Sequence, residues 1–364
     1  MQINGKPGLN RTKRSMFIHL CIACLFIGSE ALVGGGPSAT AEPLQIGSRL
    51  ELFVDDWLID TMDGARLVLQ EPIDVGKVFD LNLPWEGEMS NYAFVFKDGD
   101  KVRMYYRGAR RMMQKGRPGS SNICYAESSD GVNWTKPNLG IYEFAGTKEN
   151  NITYIGDGTP GWYCFKDENP DADPQRRYKA ICGLNLSYGG PKGIMSSPDG
   201  FHWVWWRKEP IIKGGPLDGL NNARWYPQSK MYMAYVRNWV DRKRGFGVPP
   251  DVDAPPSEYN TWYIPSLHDR VRAIALITSK DFVNWTRQQW LIYDEGTPLE
   301  HLYTNSVSYY FRAPHVYLGF PMRFVPDRVV ITGWGGLGQG PYQGLLRCDL
   351  HEQPGRPALG SPLS

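Results

Sequence analysis

The sequence predicts an all-β chain, a β-propeller of four-stranded antiparallel blades, and three observations predict it. First, the composition holds 13 Trp, 20 Tyr, 14 Phe, 40 Gly and 28 Pro in 364 residues, which suits short strands joined by tight turns better than long helices. Second, a Ser-x-Asp-x-x-x-Trp motif occurs three times, at Ser128-Ser129-Asp130-Gly131-Val132-Asn133-Trp134, at Ser197-Pro198-Asp199-Gly200-Phe201-His202-Trp203 and at Ser279-Lys280-Asp281-Phe282-Val283-Asn284-Trp285. Its tryptophans lie 69 and 82 positions apart, a blade-sized interval enlarged by loops. Third, two β segments joined by a polar hairpin precede every copy.

The elements follow in chain order. Residues 1–41 read as a secretory signal peptide: Lys6, Arg11, Lys13 and Arg14 precede an apolar run, and Ala39-Thr40-Ala41 supplies the cleavage site. The run is too short to span a membrane, and Cys24 lacks the aliphatic residue three positions upstream that a lipid anchor needs. Export permits disulfides among Cys124, Cys164, Cys182 and Cys348, with Cys164 and Cys182 on neighbouring strands, but buried thiols are the plainer reading. The propeller then occupies 42–327. Its hairpins are "NYAFVFKDGDKVRMYYRG", "GWYCFKDENPDADPQRRYKAICG", "NARWYPQSKMYMAYVRNW" and "TNSVSYYFRAPHVYLGFPMRF", and its third strands are "NICYAE", "KGIM" and "VRAIALI".

The repeated turn is structural. Ser and Asp side chains accept hydrogen bonds from turn amides, Gly supplies a positive φ, and Trp packs back as a wedge. Phe282 stands where the other copies have Gly, which argues against a need for positive φ there.

Meander topology assigns hairpins and Ser-Asp turns to one end of each sheet. The other end receives the irregular loops and the crossovers to the next blade, including the 242–270 insertion. A ligand site belongs at that second end. Acids precede the first strands there, at Glu86, Glu88, Asp157, Asp218 and Glu300, and arginines end the second strands, at Arg107, Arg237 and Arg323. Paired carboxylates can cleave glycosidic bonds, one donating a proton and the other activating water or attacking. Trp85, Trp162, Trp225 and Trp239 are candidates to stack on sugar faces.

These repeats, with "LFVDDWLID", "YYRG", "SSDGVNWTKPNLGIYEF" and "NPDADPQRRYKA", resemble the five-bladed β-propeller glycosyl hydrolase-like proteins exported by many environmental bacteria. The resemblance covers roughly 50–327 and lies near the arabinanase/xylosidase and invertase/fructosidase groups. It implies five blades, a sugar site in a central pit, and three carboxylates on different blades. Blade position selects Glu88, Asp218 and Glu300 as the catalytic set, with Arg107, Arg237, Arg323, Trp225 and Trp239 binding substrate. Asp55 and Asp56 are weaker candidates, since their segment reads as a ring-closing outer strand. Residues 328–364 read as an atypical tail, which predicts a propeller incomplete at its C-terminus through truncation or a frameshift.

Other functions lack their marks. A formal charge of +2 without a basic stripe excludes a nucleic-acid footprint. Gly333, Gly335 and Gly338 fit a dinucleotide motif, but no helix follows. No cofactor is expected, and nothing in the sequence supports a central calcium. The reading is an exported, secreted or periplasmic, glycoside hydrolase with a carbohydrate as partner. The alternatives are a non-catalytic carbohydrate-binding or interaction propeller and an inactive truncated product.

Overall fold

The computed structural model describes residues 44–53, 58–88, 90–109, 121–159, 161–183, 192–212, 217, 219–242, 270–293, 296–329 and 343–348. The leader, Asp55, Asp56, Asp218 and the glycine motif at 333–338 therefore lie outside the described residues. Among the described residues no helix is long and apolar enough to cross a membrane.

The described chain is all-β apart from a three-residue 3-10 turn, Pro174–Arg176. Strands β1 (Asn91–Asp98), β2 (Lys101–Ala109), β3 (Ser121–Ser128) and β4 (Trp134–Thr135) form a first antiparallel sheet in that order, and β5 (Ile152–Ile155) adds to β3. Strands β6 (Tyr163–Lys166), β7 (Tyr178–Gly183), β8 (Lys192–Ser197) and β9 (Val204–Ile212) form the second. The third contains β10 (Asn222–Tyr226), β11 (Met231–Asp241), β12 (Arg270–Ser279) and β13 (Gln289–Trp290). Each is the meander the sequence predicts, with β1 turning into β2 at Asp98↔Lys101.

The fourth sheet departs from expectation. Strand β14 (His301–Leu302) pairs with β17 (Met322–Val329), which pairs with β18 (Gln343–Cys348). The expected hairpin, β15 (Ser308–Tyr310) with β16 (Ala313–Leu318), forms a separate two-stranded sheet. Pro314 within β16 removes a ladder donor, and Pro326 within β17 coincides with the register irregularity between Val325 and Val329. The fourth sheet also crosses position 327: β17 runs to Val329, and β18 lies wholly inside the expected tail.

Two compact units are distinguished, 1–74 with 310–316, and 75–309 with 317–364. Within the first, His315 Nε2 meets Glu51 Oε2 at 3.0 Å. Within the second, the sheets pack face to face in chain order. Phe94, Tyr105 and Tyr125 of the first sheet meet Trp162, Tyr178 and Trp203 of the second. Ile181 and Ile194 meet Ala234, Val236 and Ile277 of the third. Tyr226, Tyr235 and Ile274 of the third meet Leu302 and Val307 beside the fourth. First strands are neighbours, β1 with β6 and β6 with β10, as propeller blades require. Cys124, Cys164 and Cys182 are buried free thiols.

The three Ser-Asp turns share one hydrogen-bond plan. Asp130 Oδ1 accepts from the amides of Val132 (2.8 Å) and Asn133 (2.7 Å), and Ser128 Oγ accepts from Gly131 N (2.8 Å). Asp199 with Ser197, and Asp281 with Ser279, repeat this arrangement. Each Trp Nε1 donates to the carbonyl of the fourth turn residue, Gly131, Gly200 or Phe282. Those residues have φ of 79°, 85° and 66°, so the left-handed backbone is retained at Phe282, against the sequence expectation. The Phe282 ring is fully buried against Phe165, Tyr232 and Trp285, and this packing offsets the backbone strain. At Gly200 a side chain is excluded twice, by φ and by Tyr105 Oη, 2.5 Å from where a Cβ would sit.

Phe282→Ala is therefore expected to lose about 3–5 kcal/mol of stability in urea titration, the usual range for truncating a buried Phe. Phe282→Gly should lose less than Phe282→Ala although it is smaller, because glycine alone escapes the left-handed penalty of about 1–2 kcal/mol.

Candidate active site

First strands enter, and second strands end, at the loop end of the sheets. There the entrances meet: Tyr92 Oη of β1 lies 3.0 Å from Tyr303 Oη, just after β14. Gly219, before β10, has φ of 83°, and a Cβ there would stand 3.3 Å from the Tyr303 carbonyl oxygen. Gly161, before β6, leaves room for Lys192, whose Nζ is 2.7 Å from where its Cβ would be. Tyr92 itself has φ of 55° at the register irregularity that opens β1.

The sequence-predicted residues divide around this convergence. Glu300 lies beside β14 and is ion-paired with Arg323, which stands opposite Leu302 in the ladder. Glu88 is exposed at the entrance to β1. Arg237 and Trp239 lie together at the end of β11, their guanidinium carbon and ring centroid 4.9 Å apart. Arg107 is buried, its Nε donating to Ser121 Oγ (2.8 Å) and its terminal nitrogen to Asn91 Oδ1 (3.2 Å), contacts that brace β1, β2 and β3.

Trp225 sits elsewhere. It lies near the hairpin end of β10, 4.9 Å from the Tyr232 ring, and lines a cavity of about 680 Å³ with Trp206, Arg176 and Lys179. As the fourth residue of β10 it stands opposite Tyr232, next to the hairpin. Three of the acids lining that cavity serve the fold: Asp281 holds its turn, Asp173 accepts from the Gln175 amide and Glu168 accepts from Tyr309 Oη. Glu86 is likewise structural. Fully buried, it accepts from Tyr106 Oη (2.5 Å), Lys136 Nζ (2.6 Å) and the Leu83 amide (2.7 Å). Asp157 forms an exposed ion pair with Lys208 at 3.0 Å.

Sequence reasoning missed Lys192, Arg270, Arg272, His301 and Tyr303. Its available signal was the "RVR" at 270–272, charges at alternate positions entering an otherwise apolar strand. The Arg270 and Arg272 guanidinium carbons stand 4.4 Å and 4.5 Å from the Trp239 ring centroid. Arg237 and Arg272 also flank the Tyr303 ring, at 5.7 Å and 5.5 Å. His301 Nδ1 accepts from the Arg272 amide and faces the Arg272 guanidinium, both at 3.2 Å. Burial first, then the charges of Arg272, Arg242, Arg237 and Arg270, push its imidazole down to about 4, so the ring is neutral near pH 7.

No family model and no curated protein matches the chain in sequence. Among solved structures it is similar to an N-acetylgalactosamine deacetylase from F. plautii in complex with blood group B trisaccharide, at 14% identity and a TM-score of 0.41 over 71% of this chain and 70% of that one. It is similar to a glycosyl hydrolase from Bacteroides ovatus at 14% identity and a TM-score of 0.32, over 55% of this chain and 50% of that one. It is also similar to a fructofuranosidase from Schwanniomyces occidentalis complexed with fructose, at 13% identity and a TM-score of 0.38, over 71% and 46%. The chain thus spans about half the length of the last two. At these TM-scores the likenesses carry no argument about activity, which has to come from the site.

Glu86→Gln is expected to cost about 3 kcal/mol in denaturant titration, because it leaves the Lys136 ammonium without its buried counter-charge. A variant of unchanged stability would remove Glu86 from the structural role assigned here. For His301, the unfolded ring takes up a proton near its ordinary value of 6.5 and the folded ring only near 4. Stability should therefore fall as pH drops from about 6.5 towards 4, and His301→Gln should flatten that slope in thermal melts recorded across this range.

Proposed function

We propose that the chain is a carbohydrate-active protein of glycoside hydrolase type that holds a saccharide at the first-strand entrances. The observation that carries this reading is the cluster of Arg237 with the Trp239 and Tyr303 rings, at the two-residue strand β14 that has the Glu300–Arg323 ion pair just before it and Tyr303 just after it. Sugar rings offer apolar faces for stacking and hydroxyls for hydrogen bonding to charged groups, and this set supplies both.

In this reading Glu300 is a carboxylate of the cleavage reaction, oriented by Arg323. Cleavage needs a second carboxylate across the scissile bond, in a pair about 5–10 Å apart. The Tyr92–Tyr303 contact brings the β1 and β14 entrances together, which supports Glu88 as that partner. Asp218, one residue before Gly219, is the third acid of the proposal. One carboxyl group protonates the leaving oxygen while the other attacks or activates water, with the order between them unassigned. Export to a secreted or periplasmic location belongs to the same reading and rests on the leader at 1–41.

A second reading, a binding propeller without turnover, is favoured by the balance of charge. Arg237, Arg242, Arg270 and Arg272 act on His301, the residue after Glu300, and Arg323 pairs with Glu300 itself. Such an excess of donors suits retention of a ligand.

A screen on aryl glycosides and polysaccharides separates the two. Glu300→Gln should lower kcat about 100-fold or more while the melting temperature holds, the usual scale for removing a general acid or base. Wild-type activity in that variant would overturn the assignment of Glu300, and binding without turnover by the wild-type protein would establish the second reading.

A further inference from the structure

The cavity at the hairpin end has no part in the cleavage reading. Its walls come from the β6–β7 hairpin, from Trp206 of β9, and from the β10–β11 hairpin and Ser-Asp turn of the third sheet. It lies far from the first-strand entrances. Trp225 on its wall stands opposite Tyr232, whereas Trp239 is seven residues further along β11, about 23 Å at the roughly 3.3 Å rise of a strand residue.

Those walls are fixed in advance. Tyr232 Oη donates to Asp167 Oδ2 (2.7 Å) and accepts from Asn169 Nδ2 (3.1 Å), so the hairpin of the second sheet is tied to the third. Trp206 is held by the Phe282 ring, stacked at 6.3 Å and 17°, and by Arg176, whose guanidinium carbon is 4.5 Å from its centroid. The volume of about 680 Å³ falls within the range of about 300–1,000 Å³ typical of small-ligand sites.

Bonds that serve the fold leave a defined remainder. Trp225 is 7% exposed, yet its Nε1 donates to no described residue and is not among the polar atoms closed off from solvent. A nearly buried indole thus keeps its N–H for the cavity that it lines. Asp171, the fourth acid of the lining, and Lys230 and Lys280 are exposed, and none of their side chains has a partner among the described residues. The remainder therefore holds donors, an acceptor and both signs of charge. A ligand of one charge is repelled by part of this set, and an apolar one leaves all of it unsatisfied. A polyol suits it: every hydroxyl both donates and accepts, and the C–H faces of a sugar ring pack on aromatic surface.

We propose that this cavity is a second saccharide site, separate from the cleavage site, which holds a segment of a neutral polysaccharide through the Trp225 indole, Asp171, Lys230 and Lys280. The proposal rests on the carbohydrate reading and extends it: the hairpin end of the sheets retains the polymer that the entrances cleave.

The test is affinity electrophoresis of the full chain through gels containing arabinan, xylan, galactan, mannan or levan. It is run in a Glu300→Gln background so that the polymer stays intact, and turnover of aryl glycosides is measured in parallel with Glu300 restored. At least one polymer should retard the protein. Asp171→Ala combined with Lys280→Ala should weaken that retention about tenfold or more, and Trp225→Phe, which keeps a ring and deletes the donor, about threefold or more, the scale of lost hydrogen bonds. Both variants should leave kcat on aryl glycosides unchanged and raise KM on the polymer alone. Asp171 and Lys280 are exposed, so their variant tests binding without disturbing the packing around Trp225. Unchanged retention in either variant, or no polymer that retards the protein, would overturn the proposal. Aryl glycoside turnover that survives such a failure leaves the carbohydrate reading standing, and the absence of both retention and turnover removes the two together. Retention that depends on the cavity residues in a chain that turns over nothing upholds the second site and replaces cleavage by the binding reading.

Discussion

The structure depends on a turn whose fourth residue is held at positive φ by a serine, an aspartate and a tryptophan. Ser128, Ser197 and Ser279 accept from the fourth residue's amide, and the tryptophan indole donates to its carbonyl. Fixed from both sides, the fourth residue of the second and third copies meets the preceding sheet. Tyr105 Oη donates to the Gly200 carbonyl and Arg103 donates to the Asp199 carbonyl, so the first sheet grips the turn of the second. In the third copy the grip is apolar: Phe282 inserts its ring against Phe165 of the second sheet. One turn geometry thus sets strand exit and sheet-to-sheet contact together.

Anchoring at one end releases the other. With hairpins and Ser-Asp turns locked, the sheets present their first-strand entrances as a group, and Tyr92, Lys192, Gly219 and Tyr303 meet there. The glycines at 161 and 219 matter because backbone and a buried lysine approach where a Cβ would intrude. Polar groups gathered in such a place are held by backbone register and do not depend on loop conformation. This is why the β11–β12 ladder can place three arginines around one tryptophan ring.

Acids in this chain serve two different purposes. Glu86, Asp167 and the turn aspartates each satisfy several donors and hold elements together. Glu300 has a different environment, paired with an arginine at a strand entrance and half-exposed. The sequence marks both kinds identically, as an acid just before an apolar strand. What separates Glu86 from Glu300 is depth: Tyr106, on the next strand, reaches the first carboxylate, and the second stays at the edge.

The amino-acid sequence by itself determined the meanders, the hairpins, the three turns and the end at which the entrances lie. Those features depend on local periodicity and on side chains that bond within a few residues of themselves. Arg237, Trp239 and Glu300 were legible for the same reason, being placed by strand polarity alone. Tertiary structure decided the rest. Phe282 tolerates a left-handed backbone because a neighbouring sheet buries its ring, and Trp225 belongs to the hairpin end because β10 pairs it with Tyr232, one position from the turn. The departure of β15–β16 from the fourth sheet, and the joining of β17 to β18, are pairings between distant segments. Arg270, Arg272 and His301 become one group only when β12 is laid against β11 and β14. Contacts of that kind depend on register between strands far apart in sequence, and no local pattern encodes them.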